Sequence, residues 1–135
     1  MHPNDIIQTT ILLAEDEDET REIIKGILED AGYAVIEAAN GKEAVKKYDE
    51  RQTEVGLLIF DVLMPEMSGK EAYDKIRVSR PDIKIIFMSG SLDGIRSGEF
   101  RVQGAPFFSK PFKVGHFLSK VREVLGQMKS GRITA

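Results

Sequence analysis

The chain contains no cysteine. Disulfides and thiolate metal sites are therefore excluded, and the composition suits a reducing compartment. Nor does any apolar run approach the roughly 18 residues that a membrane-spanning helix needs. The opening MHPNDIIQTT lacks the basic-then-apolar order of a secretion signal. Positive charge is not in excess: the formal net charge is −3, so no basic stripe for nucleic acid is expected. No internal repeat, low-complexity tract or long linker interrupts the 135 residues. What remains is 41% hydrophobic and 30% charged, which indicates one globular domain, read as cytoplasmic with no membrane insertion.

Strand and helix patterns alternate. ILLA (11–14) is a short apolar run that stops on EDEDE. Ile23, Ile24, Ile27, Leu28 and Ala31 then recur at helical spacing, with Gly32 where a helix end favours positive φ. YAVIEA (33–38) reads as a strand, and Ala44, Val45 and Tyr48 mark a second helix. VGLLIF (55–60) is apolar on both faces and is expected at the centre of a sheet. Gly69 opens a third helix carrying Ala72, Tyr73 and Ile76; IKIIFM (83–88) and PFFS (106–109) complete the strands. Phe117, Leu118, Val121, Val124 and Leu125 line the last helix. Between them, Gly94, Gly98 and Gly104 predict a short or frayed fourth helix over 91–105, since each glycine costs about 1 kcal/mol relative to alanine. The domain is expected over 10–127, with flexible ends at 1–9 and 128–135.

Five strands alternating with five helices predict an α/β fold: a doubly wound, flavodoxin-like parallel sheet in the order 2-1-3-4-5. Ligands of such sheets gather at the carboxyl ends of the strands. There the sequence places Glu15 and Asp16, then Asp61, Ser89 and Lys110, while strand two ends blandly. Each has an ordinary reading alone: acids starting a helix, a turn cap, a backbone-bonded hydroxyl, a solvated lysine. Their joint occurrence on one edge of one sheet is what points to a site.

Three carboxylates held within several ångströms repel by a few kcal/mol per pair at an effective dielectric near 20. Lys110 offsets part of that, and a divalent cation would offset the rest. Oxygen-only ligands with positions open to water suit Mg²⁺. An aspartate so placed can act as nucleophile toward a phosphoryl group, with Lys110 and the Ser89 hydroxyl meeting its equatorial oxygens. On this reading Asp61 is the reacting group.

The set ILLAEDED (11–18), LLIFDVLMPEMSG (57–69), IIFMSG (85–90) and FFSKPF (107–112), in that order, resembles the CheY-like receiver domain of two-component response regulators. The resemblance spans residues 10 to 127. It implies that Asp61 is the phosphoacceptor of a phosphorelay and that Glu15, Asp16, Asp61 and the Leu63 backbone carbonyl hold Mg²⁺. It further implies that Lys110 contacts the phosphoryl group, with Ser89 and Phe107 as switch residues and residues 91–110 plus the last helix as the switching face. Its partners would be a histidine kinase or histidine phosphotransfer domain, with a downstream output domain or protein. Such a domain is a signalling receiver, not an enzyme in its own right. A cis Lys110–Pro111 peptide is expected on the same grounds. Three positions depart from the pattern: Glu15 replaces the commoner Asp, Gly90 the usual Ala, and Phe107 a frequent Tyr.

Rival readings fare worse. A haloacid-dehalogenase-type phosphohydrolase wants an acid two residues after the nucleophile, where Leu63 stands. A flavodoxin wants backbone donors after strand one to cradle phosphate, and EDEDE would repel it. A receiver-like module that is never phosphorylated remains a rival that no residue argues for. His2 and His116 are poor phosphohistidine candidates, and Met64-Pro65-Glu66-Met67 reads as a packed turn. The chain is expected to be a single-domain regulator or a receiver from a larger protein, and GAPFFSKPF resembles receivers of hybrid sensor kinases.

Overall fold

A computed structural model describes residues 9–90, 105–110 and 112–129, with side chains to 126. Five strands, β1 (Thr10–Ala14), β2 (Ala34–Ala38), β3 (Val55–Asp61), β4 (Lys84–Ser89) and β5 (Phe107–Ser109), form one sheet in the order β2-β1-β3-β4-β5. Every pairing is parallel. Helices α1 (Asp18–Asp30), α2 (Gly41–Arg51), α3 (Gly69–Ser79) and α4 (Val114–Lys129) cover it. The doubly wound fold is the one the alternating pattern implies. The expected fourth helix lies mostly in 91–104, outside the described residues, as do residues 1–8, 130–135 and Pro111 of the expected cis peptide. Helix α4 itself continues past residue 127.

Alternation along the central strands divides the core in two. Leu12, Leu58, Phe60, Ile85 and Phe87 point to one face and meet Ala44 and Tyr48 of α2 and Ala72, Tyr73 and Ile76 of α3. Their neighbours Ile11, Leu13, Leu57, Ile59, Ile86 and Met88 point to the other, against Ile24 and Leu28 of α1 and Phe117, Val121 and Val124 of α4. A strand buried on both sides has no polar alternate positions. That is why β1, β3 and β4 read as continuous apolar runs.

Local signals explain the helix ends. Ser68 and Glu71 form a reciprocal capping box at the start of α3, legible as S-x-x-E in SGKE. Asn40 caps α2 by accepting from the Glu43 amide at 2.7 Å. Gly32 ends α1 at φ 101°, as expected. Two expectations need correcting: of the residues read as the α1 core stripe, Ile23 is 64% exposed and Ala31, at the helix C-cap, is exposed too. Successive helical positions turn by about 100°, so with Ile24 and Leu28 directed at the sheet Ile23 rotates out to solvent. Met64 and Met67 pack against the core in the turn after β3, as a packed turn would.

Candidate functional site

The strand ends deliver the polar residues. Residue Asp61 is the last residue of β3, and the chain beyond it stays tied to the sheet through the Val62 amide donating to the Met88 carbonyl at 2.8 Å. Gly69, the first residue of α3, lies directly behind: a Cβ there would collide with the Asp61 carbonyl oxygen. Its amide donates to the Val62 carbonyl at 2.9 Å. Only a glycine lets α3 start that close to β3, so the aspartate is held between a strand and a helix start. Glu15 follows β1, its amide donating to the Ala38 carbonyl of β2 at 3.1 Å. The Lys110 amide donates to the Ser89 carbonyl at 2.7 Å, extending the β4–β5 ladder to the residue that enters the site.

An open cleft of about 250 Å³ is lined by Glu15, Asp16, Glu17, Asp61, Leu63, Ser89, Gly90 and Lys110. Every site residue inferred from the sequence is brought here except Phe107, which sits half-buried on β5 against the α2–α3 side of the core. Inside the cleft the Lys110 ammonium donates to Glu15 Oε1 at 2.5 Å and to Asp61 Oδ2 at 2.9 Å. Glu15 Oε2 accepts from the Glu17 amide at 3.0 Å. The Leu63 amide approaches Asp61 Oδ1 at 3.4 Å. Carboxylate oxygens of Glu15, Asp16 and Asp61 all lie within 4.8 Å of one another. Burial differs sharply across this triad: Glu15 is 1% and Asp61 5% exposed, whereas Asp16 faces solvent. Neither Glu15 nor Asp16 belongs to the first turn of α1, which begins at Asp18. The ordinary helix-start reading of those two acids therefore does not describe them.

Electrostatics follow from that packing. Burial pushes the Glu15 carboxyl above its usual range, the Lys110 hydrogen bond pulling partly against it and the Asp61 charge adding to it. The Asp16 carboxyl is also raised, by burial and then by its contact with Glu15. Burial opposes the charged form of Lys110, but its bonds to Glu15 and Asp61 outweigh this and raise its pKa. Three carboxylates thus face one ammonium. The donor set is all oxygen, with one member open to water, which is the chemistry of a hard divalent cation site.

Sequence reasoning missed two participants. Glu17 lines the cleft and fixes Glu15 through its amide. Arg21, from α1, donates to the Glu15 backbone carbonyl at 2.8 Å. A bond to main chain leaves no residue pattern to read, and Arg21 looks like any polar position of a surface helix.

The model of the response regulator receiver domain family matches residues 11–122. Chemotaxis protein CheY of Listeria monocytogenes is 35% identical over 120 residues, covering 84% of this chain and 95% of that protein. Sensor kinase CckA of Brucella abortus is 38% identical over 117 residues, covering 86% of this chain but only 12% of the kinase. A crystal structure of response regulator protein TrrA from Thermotoga maritima, in complex with Mg(2+)-BeF, has a TM-score of 0.74 and 31% identity. That likeness covers 87% of this chain and 99% of that one. The chain belongs to the response regulator receiver domain family. It is therefore a signalling domain of two-component systems, not a classical enzyme, and it carries an acidic metal site. No helix among the described residues is long and apolar enough to cross a membrane.

Proposed function

We propose that this receiver accepts a phosphoryl group on Asp61 from a histidine kinase or histidine phosphotransfer partner in the cytoplasm. The observation that carries the reading is Asp61 itself: a nearly buried carboxylate at the end of the central strand, opening into a cleft shared with Lys110 and two further acids. Mg²⁺ fits the cleft because the candidate ligands of Glu15, Asp16 and Asp61 are all carboxylate oxygens and their charge exceeds what Lys110 offsets. Glu15, Asp16, Asp61 and the Leu63 backbone carbonyl are the groups that would hold it. When bound, the metal supplies positive charge against the phosphoryl oxygens.

The chemistry assigned to the chain's own residues is short. One Asp61 carboxylate oxygen attacks phosphorus in line; the phosphorus–nitrogen bond to the donor imidazole breaks as the new phosphorus–oxygen bond forms. The departing imidazole keeps the bonding pair and takes a proton from water. Lys110, already bonded to Asp61 Oδ2, moves its ammonium onto the arriving phosphoryl oxygens, and Ser89 at the end of β4 offers its hydroxyl. That last contact is a charge-assisted bond of about 1.5–3 kcal/mol, which shifts a two-state equilibrium by roughly 10- to 150-fold. Phe107, register partner of Phe87 on β4, follows the strand end, and the face built from residues 91–110 and α4 carries the signal to an output domain or protein. No role in binding nucleic acid is assigned.

Acetyl phosphate with Mg²⁺ is expected to add one hydroxylamine-labile phosphoryl group, read by intact mass. A chain that stays unmodified is instead a receiver-like binding module. Beryllofluoride with Mg²⁺ is expected to move backbone resonances of residues 89–110, and Ser89→Ala to suppress that movement without preventing phosphorylation. Shifts confined to the neighbours of Asp61 would remove the switching face from the reading.

A further inference from the structure

The loop between β1 and α1 brings a run of acids to the cleft. Glu15, Asp16, Glu17, Asp18 and Glu19 are five consecutive acids, and mutual repulsion favours spreading them apart. On the strand side the Glu15 amide is anchored to Ala38. On the helix side the Glu17 amide donates to Glu15 Oε2 at 3.0 Å and the Arg21 amide to the Glu17 carbonyl at 2.9 Å, and one cationic side chain bonds the loop's main chain. The Arg21 guanidinium donates through Nη1 to the Glu15 carbonyl at 2.8 Å, through Nη2 to Asp18 Oδ1 at 2.7 Å and through Nε to Glu37 Oε1 at 3.3 Å. Its side chain is only 16% exposed. Glu37 stands on β2 opposite Leu13 of β1 and is held in turn by Lys25 at 3.0 Å.

We propose that Arg21 is the positioning residue of the metal site, fixing the Glu15–Asp16 peptide plane and thereby the direction in which Asp16 presents its carboxylate. A peptide unit is rigid and planar. Holding the Glu15 carbonyl oxygen therefore sets the Asp16 amide and Cα as well, and Asp16 is the solvent-exposed member of the triad. Arginine suits the task because its fork reaches a carbonyl and two carboxylates from one rigid plane; a lysine offers charge without that geometry. An ordinary helix-surface ion pair with Asp18 would contribute little and would not touch the loop's main chain. This inference rests on Mg²⁺ binding as proposed above, and it concerns how the chain shapes that site before any metal arrives.

The test uses Mg²⁺ titration of the whole chain, followed by amide resonances and by melting temperature, with folding checked by circular dichroism. Electrostatics and positioning predict opposite signs. Deleting a cation beside an acidic cluster should tighten divalent binding, whereas releasing the loop should weaken it. Arg21→Lys, which keeps the charge, is expected to raise the Mg²⁺ dissociation constant by about tenfold, and Arg21→Met to raise it as well despite losing the charge. In the metal-free Arg21→Lys protein the Asp16 and Glu17 amides should shift while those of Leu57 to Phe60 stay in place. Glu37→Gln, a change on β2 that loosens the same guanidinium, should shift the same two amides. Unchanged affinity in Arg21→Lys, tighter binding in Arg21→Met, or unmoved Asp16 and Glu17 amides would each overturn the positioning role. A wild-type chain that fails to respond to Mg²⁺ would instead overturn the metal site, and the inference with it.

Discussion

Replacing Asp61 with Asn is expected to abolish the acetyl phosphate adduct and, in the same protein, to stabilise the metal-free domain. The amide is nearly the same size, so the cleft keeps its shape, but it has no anionic oxygen to attack phosphorus. Stability rises because Asp61 faces two carboxylates within 4.8 Å as well as the Lys110 ammonium at 2.9 Å. At an effective dielectric near 20 the relieved repulsions slightly exceed the lost attraction, leaving a gain of about 1 kcal/mol. The measurement is urea unfolding in chelator, beside intact mass after phosphodonor treatment. With Mg²⁺ added the ranking should narrow, because the metal stabilises the native wild type by mass action and finds one ligand fewer in the variant. The pairing of outcomes matters: a variant that lost phosphorylation through misfolding would lose stability too. A destabilised Asp61→Asn protein, or one still labelled, would contradict the role assigned to this carboxylate.

Lys110→Met should move stability the other way. Removing one partner of a buried ion pair commonly costs about 3–5 kcal/mol, and the lower end applies here because the cleft is open. Two acids, Glu15 and Asp61, would then face each other without a counterion. The pH dependence separates this from a simple packing loss. Burial already raises the Glu15 pKa, and the Lys110 bond is among the effects restraining it; removing that bond raises it further. A carboxyl whose folded pKa is raised contributes stability that is fully present below its unfolded pKa and lost as pH rises through the folded one. The deficit of the variant should therefore shrink as pH falls from neutral toward the ordinary carboxylate range. Glu37, whose pKa is lowered by its bond to Lys25, loses its contribution in acid, but equally in both proteins, so it cancels from the difference. A deficit that is flat with pH and indifferent to Mg²⁺ would mean that Lys110 matters only for packing.

The fold was legible because the three central strands are buried on both faces, so their runs stood out, and because Gly32 and Gly69 marked helix boundaries. The gathering of Glu15, Asp61, Ser89 and Lys110 was equally legible, since sheet order alone brings strand ends together. Three features were not. Ile23 matched the apolar period of α1, yet periodicity shows that a stripe exists without showing how wide a stripe the sheet will cover. Strand two was expected to end blandly, although the carboxylate of Glu37, one residue before its end, anchors Arg21 and Lys25. The division of labour within the triad was hidden too: nothing in EDEDE tells that Glu15 turns inward onto Lys110 while Asp16 stays wet.

The ion pair between Glu15 and Lys110 joins positions 95 residues apart. All four strand pairings are parallel, so each also spans a long crossover. Loop closure of this kind must precede any reward from the contact, and chains dominated by distant pairings fold slowly for that reason. During synthesis Glu15 and Asp61 both emerge before the cation that reconciles them. A nascent chain ending short of β5 holds its acids unneutralised, which works against closing the carboxyl edge of the sheet early. Arrival of Lys110 thus couples completion of the last strand to assembly of the charged cleft, and a truncated translation product would lack the very group that makes the site tolerable.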